Sequence, residues 1–162
     1  MNINKNKGMY LETIINNSIE HYEKNKIALF RKLDIPIKII EKNDNNIIGK
    51  IYKKSDVDYY GIYKGKFIVI EAKQTEQDCF YINKMQPHQI KYMNEIEEIY
   101  KGISLLIINF KNYDSYYCIP WSYLKDKTKI SIYDSKLNNY KLNLFFPGRI
   151  DFLSILTKKM YH

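Results

Sequence analysis

The segment Val57-Asp58-Tyr59-Tyr60-Gly61-Ile62-Tyr63-Lys64-Gly65-Lys66-Phe67-Ile68-Val69-Ile70-Glu71-Ala72-Lys73 decides how this chain folds. Lys64-Gly65 is a two-residue hairpin signal, so Tyr63 pairs with Lys66, and counting outward sets Asp58 opposite Glu71. Opposed residues of an antiparallel pair project from one face with Cβ atoms about 5 Å apart. Lys73, two residues beyond Glu71, leans the same way. Phe67-Ile68-Val69-Ile70 is apolar on both alternations, the pattern of a strand covered on both faces, so Glu71 and Lys73 leave the end of a buried strand. Like charges opposed on a strand pair are destabilising. A hard divalent cation shared by the two carboxylates answers that problem, and so does a salt bridge from Lys73 to Asp58 or Glu71; the spacing by itself leaves both open.

Upstream, Leu11, Ile15, Ile19 and Tyr22 recur at helical intervals and predict an amphipathic helix from Gly8 to about Asn25, with Glu12 beside its apolar stripe. Met1 to Lys7 reads as a loose polar tip. Ile27 to Arg31 and Ile35 to Ile40 read as two strands, Pro36 marking an edge or a strand start. From Glu41 to Ser55 the texture changes: Asn, Asp, Lys and Gly surround Ile47-Ile48 and the basic run Lys50, Lys53, Lys54, which predicts a protruding arm.

Downstream, Gln74 to Gln86 reads as a polar loop, and Pro87 opens a helix whose buried stripe is Ile90, Met93, Ile96 and Ile99. His88 and Gln89 stand in its first turn, where free backbone N–H groups favour an anion. Ile103 to Phe110 and Tyr116 to Pro120 complete the sheet, Trp121 to Lys125 forms a helical turn, Lys127 to Asn143 follows no clear pattern, and Gly148 to Leu153 begins the last element. This order predicts an α/β fold in which a mixed central sheet is flanked by helices and carries a short arm, all in one domain of 162 residues.

Twenty-six basic against 18 acidic residues leave a net charge of +8, which favours an acidic partner such as nucleic acid. Part of that basicity follows a composition dominated by Lys, Asn, Ile and Tyr, typical of genomes rich in A and T; Arg31 and Arg149 are the chain's only arginines. Cys79 and Cys118 lack metal-ligand spacing and read as reduced thiols of a cytoplasmic protein. No apolar run is long enough to span a bilayer, so no membrane partner is expected.

On these residues the chain resembles the RecU family, Holliday junction resolvases of low-GC Gram-positive bacteria within the restriction-endonuclease-like PD-(D/E)xK superfamily. The resemblance is carried by Gly8-Met9 with Leu11-Glu12, Ile27-Ala28, Ile35-Pro36-Ile37, Asp58-Tyr59-Tyr60-Gly61, Tyr63-Lys64-Gly65-Lys66, Glu71-Ala72-Lys73, His88-Gln89-Ile90 with Met93, and Arg149-Ile150-Asp151, in the family's order. It implies a restriction-endonuclease-like fold, metal-binding carboxylates at Asp58 and Glu71, a catalytic lysine at Lys73, and a helix glutamine at Gln89 that serves both catalysis and the metal. Glu12 matches a first-helix acid near the metal. Asp56 is a spare acid in Ser55-Asp56-Val57, where the family's pattern has hydroxyl residues.

The resemblance also implies Mg²⁺, with Mn²⁺ as a substitute, and a homodimer that cuts a four-way DNA junction symmetrically in recombination and repair, with the recombinase RecA as a further partner. Lys50, Lys53, Lys54, His88 and Arg31 are the expected DNA contacts. The family's stalk enters the junction centre; the arm here looks shorter and lacks the stalk's arginine. That departure keeps two rivals open: a restriction-type or phage endonuclease of the same fold acting on other DNA, and a non-catalytic DNA-binding protein that modulates a recombinase.

Overall fold

Lys64 and Gly65 both hold positive φ, 48° and 75°, the geometry of a type I′ turn whose twist matches the strands it joins. Those strands are β4 (Tyr59–Tyr63) and β5 (Lys66–Thr75), with Tyr63 paired to Lys66 and Tyr59 to Ile70, as the turn demands. The computed structural model describes residues 9–160, so the tip expected at Met1 to Lys7 lies outside the described residues.

Helix α1 (Met9–Lys24) precedes β1 (Leu29–Lys32), and after β5 come β6 (Cys79–Tyr81), a 3₁₀ turn (Ile82–Lys84) and helix α2 (Pro87–Glu98). Strands β7 (Ile103–Phe110) and β8 (Ser115–Pro120) lead into the short helix α3 (Trp121–Leu124), then β9 (Lys129–Ser131) and β10 (Lys141–Leu142). The ribbon of β11 (Leu144–Phe145) and β12 (Arg149–Ile150) precedes helix α4 (Ser154–Met160). The central sheet runs β1-β4-β5-β7-β8-β10; β5 and β7 are parallel and every other neighbouring pair is antiparallel. This is the mixed sheet flanked by helices that the element order predicts. No described helix is long and apolar enough to cross a membrane.

Strand β5 has both faces covered, which explains its unbroken apolar run. Ile68 and Ile70 pack with Leu11, Ile15 and Ile19 of α1 and with Phe152 and Leu156 near the C-terminus. Val69 packs on the other face with Met93 and Ile96 of α2 and with Trp121 of α3. Each fully buried aliphatic side chain stabilises by about 1.5–3 kcal/mol. Trp121 also donates its indole N–H to Asn94 Oδ1 at 2.6 Å, tying α3 to α2.

Three expectations need correction. Ile35 to Ile40 does not enter the central sheet: from Ile37 it forms β2 (Ile37–Asn43), which pairs only with β3 (Asn46–Ile51) in a free-standing antiparallel hairpin. The arm expected over 41–55 thus begins earlier and is ordered as strands. The Gln74 to Gln86 loop is also mostly regular, because β5 runs on to Thr75 and β6 pairs with β9. Finally, Ile99 is 63% exposed at the end of α2; the inner face of that helix is Gln89, Met93 and Ile96, with Gln89 turned inward to serve a buried acid.

Candidate active site

Among the described residues, Glu71 is the one charged group that is fully buried. It stands where β5 emerges from between β4 and β7, on the face covered by α2. Its Oε1 accepts a hydrogen bond from Gln89 Nε2 at 2.7 Å and another from the Lys73 ammonium. Its Oε2 is buried without any partner. Burial first, and the neighbouring Asp58 second, push the Glu71 carboxyl up to about 7, only partly offset by Lys73 and the Gln89 hydrogen bond.

Asp58 lies one step beyond the last β4–β5 pair. Its backbone N–H donates to Ile70 O at 3.1 Å and its Oδ2 accepts from Ala72 N–H at 2.8 Å, so the carboxylate caps β5 from the side. Burial raises its pKa too, while the Ala72 hydrogen bond and Lys73 pull the other way. Asp58, Glu71, Lys73 and Gln89 line one cavity of about 290 Å³, together with Leu11, Glu12, Ala72 and Gln74. Helix α2 supplies Gln89 at its third position. The same side chain accepts from Gln86 N–H at 3.1 Å and from Lys73 Nζ at 3.4 Å, so one amide fixes the helix start, the acid and the ammonium.

Glu12 reaches the cavity from α1 but is held by Lys32 Nζ at 2.6 Å, a partner the sequence reading missed. Asp56 does not line the cavity; it pairs with Lys53 at 3.0 Å at the root of the arm. Among the described residues no cluster of three or more His, Cys, Asp or Glu side chains is placed to hold a metal ion. The two carboxylates nevertheless fit Mg²⁺, which binds through one or two protein acids and fills its remaining positions with water and phosphate oxygens. The partnerless Glu71 Oε2 is the specific sign of that fit: a buried carboxylate oxygen without a hydrogen-bond partner is costly to maintain.

The expected DNA contacts lie outside the cavity lining. Lys50 sits on β3 directly opposite Lys38 of β2, a cationic pair exposed on the arm. Lys54 is exposed beyond it. His88 Nε2 lies 3.1 Å from Ser55 O, tying the arm's root to the first turn of α2. Arg31, on edge strand β1, is clasped by Glu23 at 2.8 and 3.0 Å and does not join the cavity group.

The arm has two unlike faces. Ile37 pairs with Ile51, Ile39 with Gly49 and Lys42 with Ile47, and strand alternation places Ile37, Ile39, Ile47 and Ile51 on one face, with Lys42 beside Ile47 past the bulge. A Cβ on Gly49 would come within 2.2 Å of Ile37 Cγ2, so glycine is what lets that isoleucine lie across the hairpin. The opposite face carries Lys38 and Lys50, followed by the pair Glu41 and Ile48. All four isoleucines are exposed, and nothing among the described residues covers them.

A family model described as Recombination protein U matches residues 6–158. The chain is 41% identical over 160 residues to a protein of Ureaplasma parvum named Holliday junction resolvase RecU, with 94% of this chain and 93% of that one covered. It is 39% identical to the protein of the same name from Mycoplasmopsis pulmonis, covering 93% and 94% of the two chains. It is 32% identical to the one from Staphylococcus aureus, covering 94% and 80%. Among solved structures, the Archaeoglobus fulgidus Holliday junction resolvase Hjc superposes with a TM-score of 0.49 at 9% identity, covering 78% of this chain and 91% of that one.

Proposed function

This chain belongs to the RecU family, and from that membership we propose that it is a divalent-metal-dependent endonuclease that resolves four-way DNA junctions. The observation that carries the chemical part is the buried Glu71 with its partnerless oxygen, beside Asp58 and within reach of Lys73. Asp58 and Glu71 would hold a Mg²⁺ ion, which would neutralise phosphate charge and make a bound water more acidic.

The chain's own groups do the rest. Lys73 keeps about a quarter of its side chain exposed, so its ammonium faces the cavity and can donate to a non-bridging phosphate oxygen while Glu71 restrains it. Gln89 is a positioning residue: it fixes both Glu71 and Lys73 by hydrogen bonds and, by engaging Glu71 Oε1, leaves the acid's other oxygen available to a cation. Glu12, tied to Lys32, sets the charge at the cavity rim. Glu12→Gln is expected to raise the Mg²⁺ concentration for half-maximal nicking about tenfold with DNA binding unchanged. A metal titration of the nicking rate reads it, and an unshifted midpoint removes Glu12 from the site.

The arm is the junction-reading element of this proposal. From Ile37 to Asn43 it extends about 20 Å, enough to enter the opening where four duplexes meet. A two-fold homodimer suits the near two-fold symmetry of such a junction and delivers paired cuts. RecA contact and a cytoplasmic setting complete the reading; the free thiols of Cys79 and Cys118 agree with a reducing compartment. The deciding experiment offers the protein a mobile four-way junction, a linear duplex and a single strand, each with Mg²⁺ and with EDTA. Symmetric paired nicks on the junction, abolished by EDTA, are expected; cutting of the duplex at equal rate overturns junction selectivity, and cutting in EDTA overturns the metal.

A further inference from the structure

A second cavity of about 350 Å³ lies at the other end of α1, between that helix, the β11–β12 ribbon and α4. Glu12 at the catalytic cluster and Tyr22 here are ten residues apart, roughly 15 Å along the helix. Arg149 lines it, partly buried. Among the described residues no hydrogen bond or ion pair engages the Arg149 guanidinium, whereas the chain's other arginine, Arg31, is clasped on both arms by Glu23.

The backbone carrying Arg149 is pinned on either side. Asn17 Nδ2 donates to Gly148 O at 3.0 Å, Ile150 N–H donates to Ser18 Oγ at 2.9 Å, and the Tyr22 hydroxyl donates to Asp151 Oδ1 at 2.7 Å. Those bonds use up Ser18 and Tyr22 within the protein and hold Asp151 by one carboxylate oxygen, turned to the tyrosine, so that the guanidinium is the cavity's cation without a hydrogen-bond partner among the described residues. Its walls are mixed: Ile27, Tyr63, Phe145 and Leu153 form the apolar part, beside His21, Ser154 and Thr157, with Phe145 about half exposed. Such a pocket takes an anion joined to a flat or apolar body. A guanidinium fork matches a phosphate with two parallel hydrogen bonds, and the half-exposed aromatic ring offers a face for a base. The volume lies within the range of about 300–1,000 Å³ found for small-molecule sites.

We propose that Arg149 and the apolar walls of this cavity form a second ligand site that binds a nucleoside monophosphate unit, separate from the catalytic cluster. The unit comes from a free nucleotide or from the 5′-phosphorylated end of a strand. Binding is measured calorimetrically, without divalent metal, using thymidine 5′-monophosphate, thymidine, inorganic phosphate, and short single strands with and without a 5′-phosphate.

Saturable binding of thymidine 5′-monophosphate is expected, with thymidine weaker by about ten- to a hundredfold, the scale of a charge-assisted hydrogen-bond pair. Arg149→Gln should weaken the nucleotide by the same factor. Phe145→Ala, at an exposed position where folding is not at stake, should weaken the nucleotide several-fold and leave inorganic phosphate unchanged. If the 5′-phosphorylated strand competes with the nucleotide and the unphosphorylated strand does not, the source is a strand end; competition by neither strand assigns a free nucleotide. Unchanged affinity in both variants, or no saturable binding by wild-type protein, overturns the site. Because no readout involves cleavage, that failure stands apart from any failure of the nuclease reading.

Discussion

Glu71→Gln should abolish junction nicking, by about a thousandfold or more, while making the metal-free protein harder to melt at alkaline pH. The two effects have one origin. The substitution is nearly isosteric and keeps an acceptor for Gln89 and Lys73, so the cavity stays built. What it removes is a negative charge held out of water with one oxygen unpartnered. Single-turnover nicking and junction binding, measured side by side, are the readout: retained binding with lost cleavage is expected, and cleavage within about tenfold of wild type removes Glu71 from the site.

The sign of the stability effect follows from the direction of the pKa. Burial raises the folded-state pKa of Glu71 from 4.5 to about 7, so between those values the folded protein holds a proton that the unfolded chain has released. The stability this provides is fully present below the unfolded value and is lost as pH rises through about 7. Asp58 shifts in the same direction. At 1.36 kcal/mol per unit, Glu71 contributes up to about 3 kcal/mol of this loss, or roughly 5–10 °C in melting temperature for a chain of this size. Metal-free wild-type protein should therefore melt lower at about pH 8 than at about pH 5.5. Glu71→Gln should flatten that slope, and Mg²⁺ should stabilise wild type chiefly at the higher pH, where the acid is ionised. A wild-type protein that melts higher at pH 8 than at pH 5.5 without metal contradicts the buried-acid account.

The meeting of Asp58, Glu71 and Lys73 is readable in the sequence because a two-residue turn fixes register and a strand's period of two fixes the face. What hid the rest was tertiary. Ile35 to Ile40 has the pattern of a core strand, and local pattern cannot say that its only partner is the following strand or that its isoleucines face outward. Lys38 escaped notice for the same reason: its meaning appears only when the hairpin register sets it against Lys50. Helical spacing offered Ile99 for the inner face of α2, but the buried carboxylate of Glu71 needed a donor there, and that need turns Gln89 inward instead. Lys32 is distant from Glu12 along the chain and becomes its partner only because α1 packs beside β1.

On the proposed reading the arm's two faces should make separable contributions to DNA recognition, and replacing the lysines should cause the larger loss of affinity. Lys38 and Lys50 stand directly opposite one another, an arrangement that costs the hairpin stability unless an anion lies between them. Replacing both by Thr keeps strand propensity and relieves the repulsion, so the hairpin should persist. Junction affinity at moderate salt should fall by about ten- to a hundredfold, and the slope of log affinity against log salt should shrink by about 2, the signature of two lost phosphate contacts. Replacing Ile37 and Ile39 by Thr should act differently. With no charge removed the salt slope stays, but apolar side chains that wedge against unstacked bases are lost, and preference for the junction over linear duplex should drop. Binding isotherms on both DNAs across a salt series test the pair of variants together. If the lysine variant keeps its salt slope, or the isoleucine variant keeps its junction preference, the corresponding face has no part in holding the DNA.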